Sequence, residues 1–109
     1  IRGSAWINFP RVLCEKWSYG NIVLMGDAAA TAHFSIGSGT KLAMEDSMAL
    51  FETFRERGIA DVADVLSAYQ DARWVEILKL QKAAQTSLEW FENTERYTGF
   101  EPLQFAVAM

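Results

Sequence analysis

Residues 21–50 read NIVLMGDAAATAHFSIGSGTKLAMEDSMAL, and the fold turns on how this stretch is understood. Ile22, Val23, Leu24 and Met25 form an apolar run between Gly20 and Gly26 with no polar alternation, which predicts a strand buried on both faces. A lone buried strand would leave its backbone groups unpaired, so its expected partners are parallel strands elsewhere in a longer chain. From Thr40 the spacing becomes helical, with Ser38 or Thr40 as N-cap and Gly58 as the stop after Arg57, giving about five turns. Leu42, Ala43, Asp46, Ser47, Leu50 and Phe54 fall on one face, Met44, Met48 and Phe51 on a second, and Lys41, Glu45, Glu52 and Glu56 on a wet side. Two apolar faces predict packing on two sides.

Downstream, Asp61 or Asp64 is a suitable N-cap for a second helix. Val65, Leu66, Tyr69, Arg73, Val75, Ile77 and Leu80 recur at helical spacing towards Gln85, with no Gly or Pro to stop the helix before Tyr97. Thr98 to Glu101 should end it, and Pro102 suits the first position of a short last helix reaching Met109. Upstream, residues 1–20 mix Trp6, Ile7, Phe9, Val12, Leu13 and Trp17 around Pro10, an extended lead-in with a break. The organisation expected is therefore 1–20 extended lead-in, 21–58 strand, glycine loop and helix, and 59–109 helical segment. The class is mainly α with one buried strand.

Composition narrows the function. With 109 residues, 50% hydrophobic and 13% aromatic, the chain is too apolar for disorder. Four Trp and seven Phe exceed what one small core hides, so some should face a ligand, a partner or the remainder of the same polypeptide. A net charge of −4 offers no basic field for nucleic acid or an anionic membrane surface, and neither partner is expected. The single cysteine, Cys14, has no Cys or His at metal-ligand spacing and reads as a small half-buried residue. Without a signal peptide or a spanning segment, a cytoplasmic location is expected, and no metal.

The chemistry concentrates after the apolar run. Asp27 sits just past the end of the expected strand, where a hydroxyl-binding carboxylate belongs in an α/β sheet; a turn carboxylate bonding nearby amides is the alternative. Gly26 lets the chain turn, and Ala28, Ala29, Ala30 and Ala32 let a flat or extended ligand approach the backbone. Gly37, Ser38 and Gly39 stand immediately before a helix, so that the amides of Ser38, Gly39, Thr40 and Lys41 and the positive helix end converge on an anion or oxygen site. The lysine spacing excludes a P-loop. A ligand that gains negative charge during its chemistry suits such a site.

The order Val23-Leu24-Met25-Gly26-Asp27-Ala28-Ala29, then Gly37-Ser38-Gly39, then Glu45-Asp46 and Leu50 resembles the Gly-Asp motif of the FAD-dependent aromatic monooxygenases. The run from His33 to Asp46, with flanks Asn8-Phe9-Pro10-Arg11-Val12 and Glu89-Trp90-Phe91-Glu92-Asn93, is similar to the variant that hydroxylates salicylyl-CoA and anthraniloyl-CoA. The resemblance implies a partial fragment of an α/β, Rossmann-like FAD-binding fold, with FAD as cofactor, NADH or NADPH as reductant, and an aromatic acid or its CoA thioester as substrate. It implies that Asp27, framed by Gly26 and Ala28, holds the ribityl chain, while the amides around Ser38 to Lys41, in the loop that Gly37 and Gly39 shape, face N1 and the O2 carbonyl of the flavin ring. The family's G-x-G-x-x-G, which receives the ADP half, does not occur here, so the chain looks like an internal or C-terminal part that by itself binds FAD poorly or not at all. Ala30, Ser35 and Lys41 depart from the commonest pattern, which has His, Pro and Asn.

Other readings compete. A different FAD oxidoreductase could share the Gly-Asp motif, and a helical interaction domain could use Asp27 and the glycines as turn chemistry alone. His33 is a flavin or substrate contact, or a loop residue that packs. Asp46 interrupts an apolar face and should find donors among loop amides near the glycines. Trp74, Trp90 and Phe91 are expected in core or interface.

Overall fold

The computed structural model describes Gly3, Ala5 and residues 7–108. The placement of Trp6 in the lead-in and of Met109 at the end of the last helix lies outside these residues. Two helices dominate: α1, Gly39–Arg57, and α2, Val62–Glu92, joined by a connection of four residues, 58–61. Gly58 N–H donates to Phe54 O at 2.8 Å where α1 ends. The Asp61 side chain accepts from Asp64 N–H at 3.1 Å, satisfying one of the orphan donors of α2. A 3-10 turn, Thr94–Tyr97, follows α2, and Pro102 opens the short helix α3, Pro102–Ala108.

The apolar run departs from expectation. Ile22–Val23 is a two-residue strand, β2, that pairs antiparallel with β1, Ser18–Tyr19, in the register Ser18↔Val23 and Tyr19↔Ile22. Its partner is therefore local, because the chain reverses at Gly20-Asn21, and Ile22 is 65% exposed where a doubly buried strand was expected. The hairpin continues outward through Leu24 N–H to Trp17 O at 2.7 Å, Cys14 N–H to Ala29 O at 2.9 Å and Thr31 N–H to Val12 O at 2.9 Å. Residues 12–31 thus form one long antiparallel loop lying across the helices.

The core sits where this loop meets α2. Trp17, Ala29, Ala30, Leu42, Tyr69 and Ile77 are buried together, with half-buried Trp74 against Trp17. Trp17 Nε1 donates to Cys14 O at 2.8 Å. Gln70 clasps the loop to α2, accepting from Trp17 N–H at 2.9 Å and donating to Glu15 O at 2.8 Å. Trp17 is the largest fully buried side chain among the described residues, and it anchors this core. Val75 and Ser47 were placed on packed faces but are exposed, and Thr53 is buried instead, its hydroxyl bonding Ala49 O at 2.7 Å. Met44, Met48 and Phe51 are 63%, 67% and 63% exposed, so the second apolar face of α1 is uncovered within this chain. The radius of gyration, 18.3 Å, exceeds the roughly 13 Å of a compact domain of this length, as an uncovered helix pair requires.

Candidate functional site

Gly26 begins the 3-10 turn Gly26–Ala28 that carries Asp27. Its φ of +57° lies in the left-handed region, and a Cβ there would stand 3.2 Å from Ala43 Cβ of α1. Glycine is required on both counts, since backbone and helix touch at this point. Close approach is held by a hydrogen bond: Gly26 N–H donates to Asp46 Oδ2 at 3.0 Å. Asp46 is fully buried, and its other oxygen accepts from Arg73 Nε at 2.7 Å. Arg73 also reaches Glu45 at 3.2 Å, and Glu45 in turn pairs with Lys41 at 2.6 Å. The donor expected for Asp46 among loop amides is thus Gly26, with an arginine from α2 that periodicity alone did not reveal.

The electrostatics follow the geometry. Burial works against the Arg73 cation, but hydrogen bonding and charge from Asp46, then Glu45, outweigh it and raise its pKa. Glu45 is held below the ordinary carboxylate value chiefly by the Lys41 hydrogen bond; burial opposes this, and the Lys41 charge and Arg73 add to it. Burial, reinforced by the Asp46 charge and opposed by Arg73, raises the phenol of Tyr69, whose buried hydroxyl has no partner among the described residues.

Asp27 itself is exposed, and among the described residues its carboxylate accepts no hydrogen bond. The alternative of a turn carboxylate satisfied by nearby amides is not what the structure shows. Asp27 lines a cleft of about 290 Å³ with Arg11, His33, Phe34 and Gln81. Gln81 is 3% exposed; its Nε2 donates to Val12 O at 2.9 Å and Thr31 O at 2.8 Å, which fixes the amide and leaves Oε1 buried without a donor. The cleft therefore presents one acceptor without a donor among the described residues, the Asp27 carboxylate, which suits a ligand bearing hydroxyl groups; Gln81 Oε1 is too buried to face it.

His33 Nδ1 accepts from Ser35 N–H at 3.2 Å, and its ring stacks on Phe34 at 4.3 Å while Phe9 approaches both edge-on. This aromatic trio at the cleft was not singled out from the sequence; its members come from separate segments, and only the local His33-Phe34 pair offered a signal. The glycine loop lies apart from the cleft lining. Gly37, at φ +63°, donates to Phe34 O at 2.9 Å, and Ser38 Oγ donates to Ile36 O at 3.1 Å. The first bond of α1 runs from Leu42 N–H to Ser38 O at 3.0 Å, so the amides of Gly39, Thr40 and Lys41 precede it and point out of the helix end. The Lys41 ammonium is turned to Glu45, so its backbone, not its charge, belongs to this group. The structure thus seats the Gly26–Ala28 turn on the first turns of α1 and leaves Gly37–Lys41 outside the Asp27 cleft. Among the described residues no cluster suited to a metal ion occurs, and no helix is long and apolar enough to cross a membrane.

Residues 2–83 match the family described as FAD binding domain. The chain is 46% identical over 105 residues, 94% of its length, to a salicyloyl-CoA 5-hydroxylase of a Streptomyces species, covering 20% of that protein. It is 43% identical over 88 residues, 81% of its length, to a 3-hydroxy-4-methyl-anthranilyl-(aryl-carrier protein) 5-monooxygenase of Streptosporangium sibiricum, covering 24% of it. A 6-hydroxynicotinate 3-monooxygenase of Bordetella bronchiseptica is 30% identical over 100 residues, 90% of this chain and 26% of that protein. The chain thus spans about a fifth to a quarter of the length of these curated relatives. No solved structure gives a significant match.

Proposed function

The chain belongs to the FAD binding domain family, and from that premise we propose that it is part of a flavoprotein monooxygenase acting in the cytoplasm, one that hydroxylates an aromatic acid or its thioester using NADH or NADPH and oxygen. Within that protein, residues 1–109 form an internal or C-terminal part of a Rossmann-like FAD-binding domain. The observation that carries the reading is the Asp27 carboxylate, exposed and unbonded among the described residues, on a turn that the buried Asp46 ties to α1 through Gly26 N–H. Such an acceptor fits a polyhydroxyl chain such as the ribityl group of FAD. The relatives' names support the aromatic substrate class, since each names an aromatic acid, two of them in thioester linkage.

FAD, when bound, supplies the activation of oxygen; the protein supplies position, electrostatics and dryness. Asp27 would accept from ribityl hydroxyls, with Gly26 and Ala28 shaping the turn. The amides of Gly39, Thr40 and Lys41, with Gly37 and Ser38 setting the approach, would stabilise negative charge on the flavin ring by about 0.3–1 kcal/mol when exposed and up to about 2 when partly buried. Asp46 and Arg73 touch no ligand in this account; they hold Gly26 against α1. Phe9, His33 and Phe34 line the same cleft as Asp27.

The test is FAD content of the natural, uncut polypeptide and of its Asp27→Ala variant. One FAD per chain, lost in the variant with the circular dichroism unchanged, is the expected result. A wild type without FAD overturns the flavoprotein reading, and a variant with full FAD content removes Asp27 from the site.

A further inference from the structure

His33 is the one histidine of the chain, and it lines the Asp27 cleft. Its Nδ1 accepts from Ser35 N–H at 3.2 Å, closing the N-terminal end of the 3-10 turn Phe34–Ile36. An imidazole nitrogen that accepts carries no proton, so the neutral ring holds its proton on Nε2. The ring is also fixed in place, because Phe34 stacks on it at 4.3 Å with 30° between the planes and Phe9 meets it edge-on at 6.1 Å. Ser35 lines a separate groove of about 1120 Å³ along α2, while His33 and Phe34 line the cleft, so one short loop borders both spaces.

The other side-chain donors lining the cleft are engaged or unfixed. Gln81 Nε2 donates to Val12 O and Thr31 O, Gln85 Nε2 donates to Glu89 Oε1 at 3.0 Å, and the Thr31 hydroxyl donates to Pro10 O at 3.5 Å. Arg11 is exposed, at the end of a long side chain that no hydrogen bond holds among the described residues. His33 Nε2–H also has no acceptor among the described residues, but a backbone amide and two aromatic rings set where it stands. The cleft thus combines one free acceptor, the Asp27 carboxylate, with one fixed donor.

We propose that His33 is a ligand-binding residue of this cleft, its Nε2–H donating to an acceptor oxygen, a carbonyl or an ionised phenol, on the flavin ring or on the aromatic substrate. The inference rests on the flavoprotein reading above. It gives His33, which the sequence leaves between a ligand contact and a packing residue, one atom and one bond.

The experiment uses the full-length protein and two variants that divide the imidazole between them. Asparagine places Oδ1 where the imidazole has Nδ1, so His33→Asn keeps the bond from Ser35 N–H and loses the Nε2 donor. Glutamine places its amide nitrogen where the imidazole has Nε2, so His33→Gln keeps the donor and loses the bond from Ser35. FAD affinity is read from flavin fluorescence as FAD rebinds the apoprotein. Salicyloyl-CoA affinity is read from the absorbance change it causes in the bound flavin, and the loop cap from hydrogen exchange at Ser35. His33→Asn should bind one of the two ligands about tenfold more weakly, with Ser35 exchange unchanged. His33→Gln should bind both within about threefold of wild type, while Ser35 exchanges roughly tenfold faster. Weakened FAD assigns the acceptor to the flavin; intact FAD with weakened salicyloyl-CoA assigns it to the substrate. The reverse pattern, with His33→Gln impaired and His33→Asn normal, makes His33 a loop cap only and overturns the proposal. Equal affinities in all three proteins, or equal losses in both variants, overturn it as well. A wild type that carries FAD beside an unimpaired His33→Asn overturns this contact alone, whereas a wild type without FAD overturns the flavoprotein reading and the contact with it.

Discussion

Replacing Asp46 with alanine removes the acceptor shared by Gly26 N–H at 3.0 Å and Arg73 Nε at 2.7 Å, 27 residues away in sequence. Breaking a buried ion pair by deleting one member costs about 3–5 kcal/mol. Leaving a buried amide without an acceptor costs about 1–3 kcal/mol. These do not simply add, because Arg73 keeps Glu45 at 3.2 Å and its side chain is 10% exposed. The expected loss is therefore at the lower end, about 3 kcal/mol, or roughly a hundredfold in the folded population. Arg73→Met should cost as much or more, since Asp46 is fully buried and would keep only one donor. The double variant Asp46→Leu/Arg73→Met should be about 2 kcal/mol better than the sum of the singles. Urea unfolding of the full-length protein measures the totals, and hydrogen exchange at Gly26 measures the tether itself, expected to quicken at least tenfold in Asp46→Ala. Unchanged exchange at Gly26, or strictly additive single variants, would refute the view that this pair holds the Gly-Asp turn.

Gly26→Ala forces a left-handed φ on a residue with a Cβ and sets that Cβ 3.2 Å from Ala43, so it should cost about 1–3 kcal/mol and reduce FAD affinity; normal melting and flavin content would contradict this. Gln81→Leu removes the donor of Thr31 O, while Val12 O keeps Thr31 N–H, and should destabilise by about 1–3 kcal/mol, read by urea unfolding. Asp27→Ala should leave the unfolding midpoint unchanged while weakening FAD about 10- to 100-fold, as loss of a charged acceptor predicts. Glu45 has a folded pKa below its ordinary 4.5, so its contribution is present above that value and is lost as pH falls through the folded one. The gap in Tm between wild type and Glu45→Gln should therefore stay constant near neutrality and narrow below about pH 4.5; a gap that widens with acid would be the wrong sign.

Local chemistry was the legible part. Asp61 caps α2, Gly58 ends α1 and Pro102 starts α3, because each signal acts within one turn of the residue that carries it. Residues 22–25 misled, since four apolar residues without alternation satisfy the pattern of a doubly buried strand equally well when a turn at Gly20-Asn21 pairs them locally and leaves one side uncovered. The candidate site was half legible. Asp27 and the glycines stood out by type and spacing, but Arg73 looked like one more periodic helix position, and its pairing with Asp46 is a tertiary event. Gln81 left no signal at all, because a glutamine gains meaning here only from the two carbonyls that happen to converge on it.

The short loop around Ser35 is a party wall between two rooms. Ser35 Oγ donates to Ala84 O at 3.4 Å, which fastens it to α2, while His33 and Phe34 face the neighbouring cleft. A guest that presses on one side of a shared wall changes the room on the other, and thermodynamics requires the debt to be mutual.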